Sequence, residues 1–179
     1  MAGATGATGA ERIDVPLGFD VPEGWTPVDP ASVGAAGVAF VLVRPSPDGE
    51  FTPNVTIGVD RRSDDGGVAD SARESLLRLE SAMADVSLVD RQSIGDARSP
   101  GITQVVRLRP KPGPDGPGRE LVQSQVHLTV PLGDAPHDRL VVELACTCLP
   151  EQTDAVVPAF QRLVATFHIR EKEIDTHER

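Results

Sequence analysis

The sequence predicts an α+β domain, a mainly antiparallel sheet of about six or seven strands with two main helices packed on it. Three observations predict it. Runs with apolar residues at every second position, bounded by Pro/Gly-rich turns, recur along the chain. Two other segments, one mid-chain and one near the end, space their apolar residues by three and four. A length of 179 residues with 39% hydrophobic content suits one buried core. Aromatic residues are only 3% of the chain, so that core is built from Val, Leu, Ile and Ala.

Residues 1–12 are small and rich in Gly and Ala, and are expected to be a disordered tail. Residues 13–169 form the domain, and residues 170–179 a charged, solvated tail. The first strand is expected at Ile13 to Val21, followed by a turn at Pro22, Glu23 and Gly24 before Trp25. Pro27, Pro30 and Gly34 mark an irregular stretch. Ala39 to Arg44 is apolar on both faces, which predicts a central strand. Asn54 to Asp60 alternates, with Val55, Ile57 and Val59 on one side, and pairs with the preceding strand as a hairpin.

A helix is predicted from about Val68 to Ala84, on the spacing of Ala69, Ala72, Leu76, Leu79 and Met83. Asp65 or Asp70 is placed to cap it, and Ser71-x-x-Glu74 resembles a capping box. Glu74 and Arg78 form an i, i+4 pair on its wet face. Four strands follow: Val86 to Ile94, Ile102 to Arg109, Leu121 to Val130 and Arg139 to Leu149. Lys111 to Gly118 is too rich in Pro and Gly for regular structure and links the middle two as a long loop. The second helix spans roughly Gln152 to His168, with Val156, Phe160, Leu163, Val164 and Phe167 as its stripe and a kink or restart expected at Pro158. Consecutive strands joined by short turns pair antiparallel. The pattern leaves open whether the helices share one face of the sheet.

Composition narrows function. A net charge of −10 repels a phosphate backbone, and only Lys111 and Lys172 are lysines, so no nucleic-acid partner is expected. The longest apolar run, Ala35 to Val43, is far short of the ~20 residues a membrane span needs. Met1 to Ala10 lacks the basic and apolar regions of a signal peptide, so a cytoplasmic protein is expected. Cys146 and Cys148, two apart on a strand, share a face with Cα atoms roughly 6.5–7 Å apart, at the limit for a disulfide. They are expected to be small core residues.

No chemistry-bearing motif emerges. There is no Gly-x-Ser-x-Gly, Walker or Gly-x-Gly-x-x-Gly pattern. His137 lies in a turn, His177 in the charged tail, and His168 at the end of the last helix, where a positive ring suits the helix dipole. Asp60, Asp64 and Asp65 lack the calcium-loop spacing. Neither a metal nor a cofactor is expected. What remains is a polar strand face, Gln123, Gln125, His127 and Thr129, with Arg107 and Arg109 on the preceding strand. This face and Trp25, the one tryptophan, are the expected partner-docking surface.

Three segments, Phe19-x-Val21-Pro22-x-Gly24-Trp25, Phe51-x-Pro53-Asn54-Val55, and Pro158-x-Phe160 with Thr166-Phe167, carry a family resemblance. With the element order, they make residues 13–168 resemble the actinobacterial LpqN/LpqT-type family, which has the PsbP/Mog-like fold. The resemblance implies an antiparallel sheet flanked by helices and no catalytic constellation. It also implies an adaptor, accessory or chaperone-like role. Members are mostly exported lipoproteins, but this sequence shows neither the signal nor the lipid-bearing Cys near its start, so a cytoplasmic variant is expected. The expected function is therefore a non-enzymatic protein-binding module, with a homo-oligomer compatible. A carrier of a small apolar ligand held between sheet and helix is the first alternative. An enzyme with a dispersed acidic site is the second.

Overall fold

Alternating apolar side chains drive seven strands of this protein into one antiparallel sheet, and the helical segments then cover parts of both its faces. A computed structural model describes residues 17–35, 37–47, 49–62, 66–114, 116–132 and 139–169. The expectations for both tails, for residues 13–16, and for Asp64, Asp65, His137 and His177 lie outside these residues.

In chain order the strands are β1 (Leu17–Gly18), β2 (Thr26–Val28), β3 (Phe40–Val43) and β4 (Asn54–Arg62), followed by α1 (Val68–Ala82). Then come β5 (Met83–Gly95), β6 (Pro100–Pro110), β7 (Leu121–Pro131) and β8 (Arg139–Cys148), with α2 (Thr153–Thr166) and β9 (His168–Ile169) closing the domain. The large sheet has the order β2-β3-β4-β8-β7-β6-β5, and β1 pairs with β9 in a separate two-stranded ribbon. The expected hairpin between β3 and β4 is present, with Phe40 opposite Ile57. Strands β5 to β8 form a meander, and β8 then docks on β4 from Asn54 opposite Thr147 to Arg62 opposite Arg139. Helix α1 carries the chain from β4 to the far edge, so β4 and β5 never meet.

The strand buried on both faces is β8, not β3. Leu140, Val142, Leu144, Cys146 and Cys148 alternate with Val141, Ala145 and Thr147, and all are buried. Strand β3 lies second from an edge, and Phe40 is partly exposed. A run apolar on both faces marks double burial, but a short segment bordered by loops meets that condition locally without sitting mid-sheet.

The helices cover opposite faces. On one, Phe160, Leu163, Val156 and Ala159 of α2 join Trp25, Leu42, Val55, Ile57, Val142, Leu144 and the two cysteines. On the other, Leu76 and Leu79 of α1 pack with Val106, Leu108, Leu121 and Leu149. Helix α1 begins at Gly67, whose amide donates to the Asp70 carboxylate at 3.0 Å, so Asp70 supplies the cap. The Ser71–Glu74 box and the Glu74–Arg78 pair do not form. Ser71 is buried against the sheet, Glu74 pairs with Arg62, and Arg78 with Glu143 at 2.5 Å. The strands offer charged partners that the helix alone cannot. Helix α2 follows a short 3-10 turn at Pro150–Gln152 and runs unbroken through the exposed Pro158, so the expected restart is absent. Only one rung of the helical ladder is missing there.

Candidate functional site

The strand face expected to be wet is covered. Helix α1 lies over Gln104 of β6 and over Gln125, His127 and Thr129 of β7, all buried. His127 is 0% exposed. Its Nδ1 sits 3.0 Å from the Ser71 hydroxyl and its Nε2 3.2 Å from the Gln125 carbonyl oxygen. Because that oxygen can only accept, Nε2 carries the proton and Nδ1 accepts from Ser71. Gln104 donates to the Ala72 carbonyl at 3.2 Å and to the Gln125 side chain. Gln125 donates to Ser75 at 3.1 Å and to Gln123 at 2.6 Å, and Gln123 donates to Thr147 at 2.9 Å. Ser75 in turn donates to Glu143 at 2.8 Å. Arg91 enters from β5, its Nε donating to Gln104 at 2.9 Å. The alternation that reads as apolar-in and polar-out is therefore a polar, hydrogen-bonded layer inside the fold.

This layer corrects the expected docking surface. Gln125, His127 and Thr129 are interior, and Gln123 is half-buried with its amide committed. Trp25 is buried in the α2-side core. Arg107 and Arg109 lie on the opposite sheet face from the polar strip, because Arg107 is paired with Val122 while Gln104 is paired with Gln125. Of the seven residues, only these two arginines are exposed.

The reactive side chains are held quiet by burial. Burial lowers the His127 pKa below the usual histidine value; Glu143 opposes the shift, and Arg78 and Arg91 add to it. Burial pushes the Cys146 thiol up to about 12, with Cys148 contributing. Cys148 rises to about 11, from burial and then Glu151. Thiols this high are almost wholly protonated at neutral pH and are poor nucleophiles. Ser71, on the inner side of α1, and His127, on the sheet beneath it, touch, and both are buried. His168 is exposed, and its Nδ1 donates to the Thr166 carbonyl at 2.9 Å, satisfying the end of α2 as its position predicts. Among the described residues, no group of three or more His, Cys, Asp or Glu is placed to hold a metal ion.

On the sheet face where α2 packs, the helix stops short of the β5 side of the sheet. Helix α2 packs on β8 and β7, leaving the same face of β6 and β5 open. There Arg109 is paired with Asp85, Arg107 with Ser87 and Val105 with Asp90. Arg109 also reaches Glu120 at 3.9 Å. The turn between the two strands is fixed by Asp96, which accepts from the amides of Ser99 at 3.0 Å and Arg98 at 2.8 Å. Those bonds hold its carboxyl below the usual range, Ser99 contributing most. Among the described residues, strand β5 has no neighbour beyond β6. Its exposed apolar side chains, Leu88 at 44%, Val89 at 53% and Ile94 at 37%, are not among the residues expected to bind. The run Val86 to Ile94 carries too weak an alternation to assign its outward face.

LpqN of Mycobacterium tuberculosis, whose structure is described as involved in cell envelope biogenesis, superposes with a TM-score of 0.60 at 13% identity. The match covers 87% of this chain and 83% of that one. Cyanobacterial PsbP from Synechocystis matches at 0.54 and 16% identity, covering 94% of this chain and 98% of its own. The Ran-binding protein Mog1p of Saccharomyces cerevisiae matches at 0.51 and 14%, over 86% and 89%. The fold is PsbP/Mog-like. No protein-family profile and no curated protein matches the sequence. Within the PsbP/Mog-like fold, identities this low establish shared architecture and nothing about partners. Among the described residues, no helix is long and apolar enough to cross a membrane.

Proposed function

We propose that this protein is a non-catalytic accessory module that binds another protein through the open face of β5 and β6, centred on Arg107, Arg109 and Val105. The observation that carries the proposal is the sheet face of β5 and β6 that α2 leaves uncovered, with mixed charged and apolar side chains, beside the part of that face on β7 and β8 where α2 packs. A flat face with arginines around a β-branched residue matches the composition of protein interfaces. The name of Mog1p, a Ran-binding protein, supports a binding role for the fold in general. The compartment proposed is the cytoplasm, where unpaired thiols such as Cys146 and Cys148 stay reduced.

The test places a photo-crosslinking amino acid at Arg107 and, separately, at Arg162 on the exposed side of α2. Native lysate is then irradiated. A discrete adduct from position 107 that is absent from position 162 is the expected result. Identical adducts from both positions, or none from 107, would overturn the proposal.

A further inference from the structure

The two helices are held to the sheet by different means. Helix α2 buries Val156, Ala159, Phe160 and Leu163, all apolar. Helix α1 buries Ser71, Ala72 and Ser75, two of them hydroxyl side chains. Its apolar anchors, Leu76 and Leu79, lie in its second half and pack with Val106, Leu108, Leu121 and Leu149. The first two turns, Val68 to Ser75, adhere mainly through hydrogen bonds. Ser71 meets His127, Gln104 donates to the Ala72 carbonyl, Gln125 donates to Ser75, and Ser75 donates to Glu143.

An interface of this kind separates at small net cost, because its polar groups exchange protein partners for water. Thr129 gains from the exchange: its Oγ1 is buried with no hydrogen-bond partner among the described residues. The ion pairs that cross to the strands, Glu74 with Arg62 and Arg78 with Glu143, are screened by water at the partly exposed Glu74 and the exposed Arg78. The apolar cost falls on Ala72 and on Ile102 and Val141, the strand neighbours of His127 and Thr129.

His127 makes the cost depend on protons. A proton arriving at Nδ1 puts a charge in a layer closed to solvent. The charged groups around that layer are Asp70, Glu74 and Arg78 on α1, Arg91 from β5, Glu143 and Arg139 on β8, and Arg62 on β4; on β6, Ile102 and Gln104 carry no charge. Asp70 and Glu74 are paired with Arg73 and Arg62. That leaves Glu143, opposite His127 and already engaged by Ser75 and Arg78, to favour the charged ring, and burial outweighs it. The closed layer therefore holds the ring neutral, whereas water does not. A group that takes up a proton more readily when exposed drives its own exposure as pH falls.

We infer that the first two turns of α1, Val68 to Ser75, are an acid-released cover, which lifts from β7 and β8 and exposes Gln125, His127 and Thr129 while the sheet and α2 stay folded. Leu76 and Leu79 keep the second half of the helix in place as it lifts. This device goes beyond the binding function proposed above and does not rest on it.

The experiment follows amide hydrogen exchange of the full chain, residue by residue by NMR, at pH 7.5, 6.5 and 5.5, with rates corrected for intrinsic exchange. At pH 7.5 the amides of Ala72 to Ser75 are expected to be roughly tenfold or more less protected than those of Phe160 to Leu163 in α2. Low concentrations of urea should barely change the α1 amides and should speed the α2 amides as global unfolding does. Between pH 7.5 and 5.5 the α1 opening constant is expected to rise about three- to tenfold, along a one-proton curve that bends near 6.5. The fluorescence of Trp25, in the α2-side core, should stay constant over the same interval. In His127→Gln the rise should vanish.

Equal protection and equal urea response of the two helices overturn the cover. A flat α1 opening constant in the wild type overturns the acid release, whether or not the variant folds. An unchanged rise in folded His127→Gln overturns His127 as its trigger. A shift in Trp25 emission alongside the α1 exchange makes the event global unfolding and overturns local release.

Discussion

Ser71 on α1 and His127 on β7, 56 positions apart in the chain, meet at 3.0 Å in a layer closed to solvent. The contact ties the first turn of the helix to the middle of the sheet. It also leaves both ring nitrogens of the histidine satisfied, Nε2 by Gln125 and Nδ1 by Ser71.

Replacing Ser71 with alanine removes the donor to Nδ1 and leaves a buried acceptor unpaired. The expected loss is about 1–2 kcal/mol of stability, the scale for a buried group stripped of its partner. Urea unfolding at pH 7.5 measures it. A loss below a few tenths of a kcal/mol would mean that the ring is not held as described.

Acidification should weaken the fold through His127. Its folded pKa is lowered, so the unfolded chain binds the proton more readily. The stabilising contribution of the neutral ring is complete above the ordinary value of 6.5 and is lost as pH falls from there toward the folded pKa. Glu143, raising the pKa, limits the effect, while Arg78 and Arg91 enlarge it. The urea midpoint of the wild type is expected to drop between pH 7.5 and 5.5. His127→Gln should start less stable at pH 7.5 but fall less over the same interval. Parallel lines for the two proteins would remove His127 as the titrating group.

The turn that presents β5 depends on Gly95. Its φ is 75°, and a Cβ there would lie 2.1 Å from the Ser99 carbonyl oxygen. Gly95→Ala is expected to cost about 1–3 kcal/mol, from left-handed strain and the clash together. Gly24, at φ 80° with open space around it, isolates the conformational part. Gly24→Ala should cost about 1 kcal/mol. Thermal unfolding of the pair checks the order, and equal losses would show that the Ser99 contact relaxes freely.

Much of the architecture was legible in the chain. The period-two stripes of Leu121 to Val130 and Arg139 to Leu149 mark real strands, and the three-four spacing of Leu76, Leu79, Val156, Phe160 and Leu163 marks the buried sides of both helices. Local periodicity records which side chains leave water, and that depends on neighbours a few residues away. The motifs around Trp25, Phe51 and Phe160 also pointed to the PsbP/Mog-like fold that the solved structures share.

The candidate site was the part least legible. Gln123, Gln125, His127 and Thr129 alternate with apolar residues as a solvent-facing strip would, yet Gln125, His127 and Thr129 are buried, and α1 supplies Ser71 to His127 and Ser75 to Gln125 as partners. Polarity alone does not distinguish a face bonded to water from one bonded to a helix fifty residues earlier in the chain.

The sequence by itself determined the element types, the aliphatic core and the absence of any recognised catalytic motif, because each follows from residue identity and short-range spacing. Only the tertiary structure decided that β8 inserts beside β4, that the helices take opposite faces, and that β5 is the outermost strand of the sheet among the described residues. Those outcomes depend on contacts far apart in the chain, where burial of one strand face against a distant partner, rather than any local preference, sets which surface still meets water.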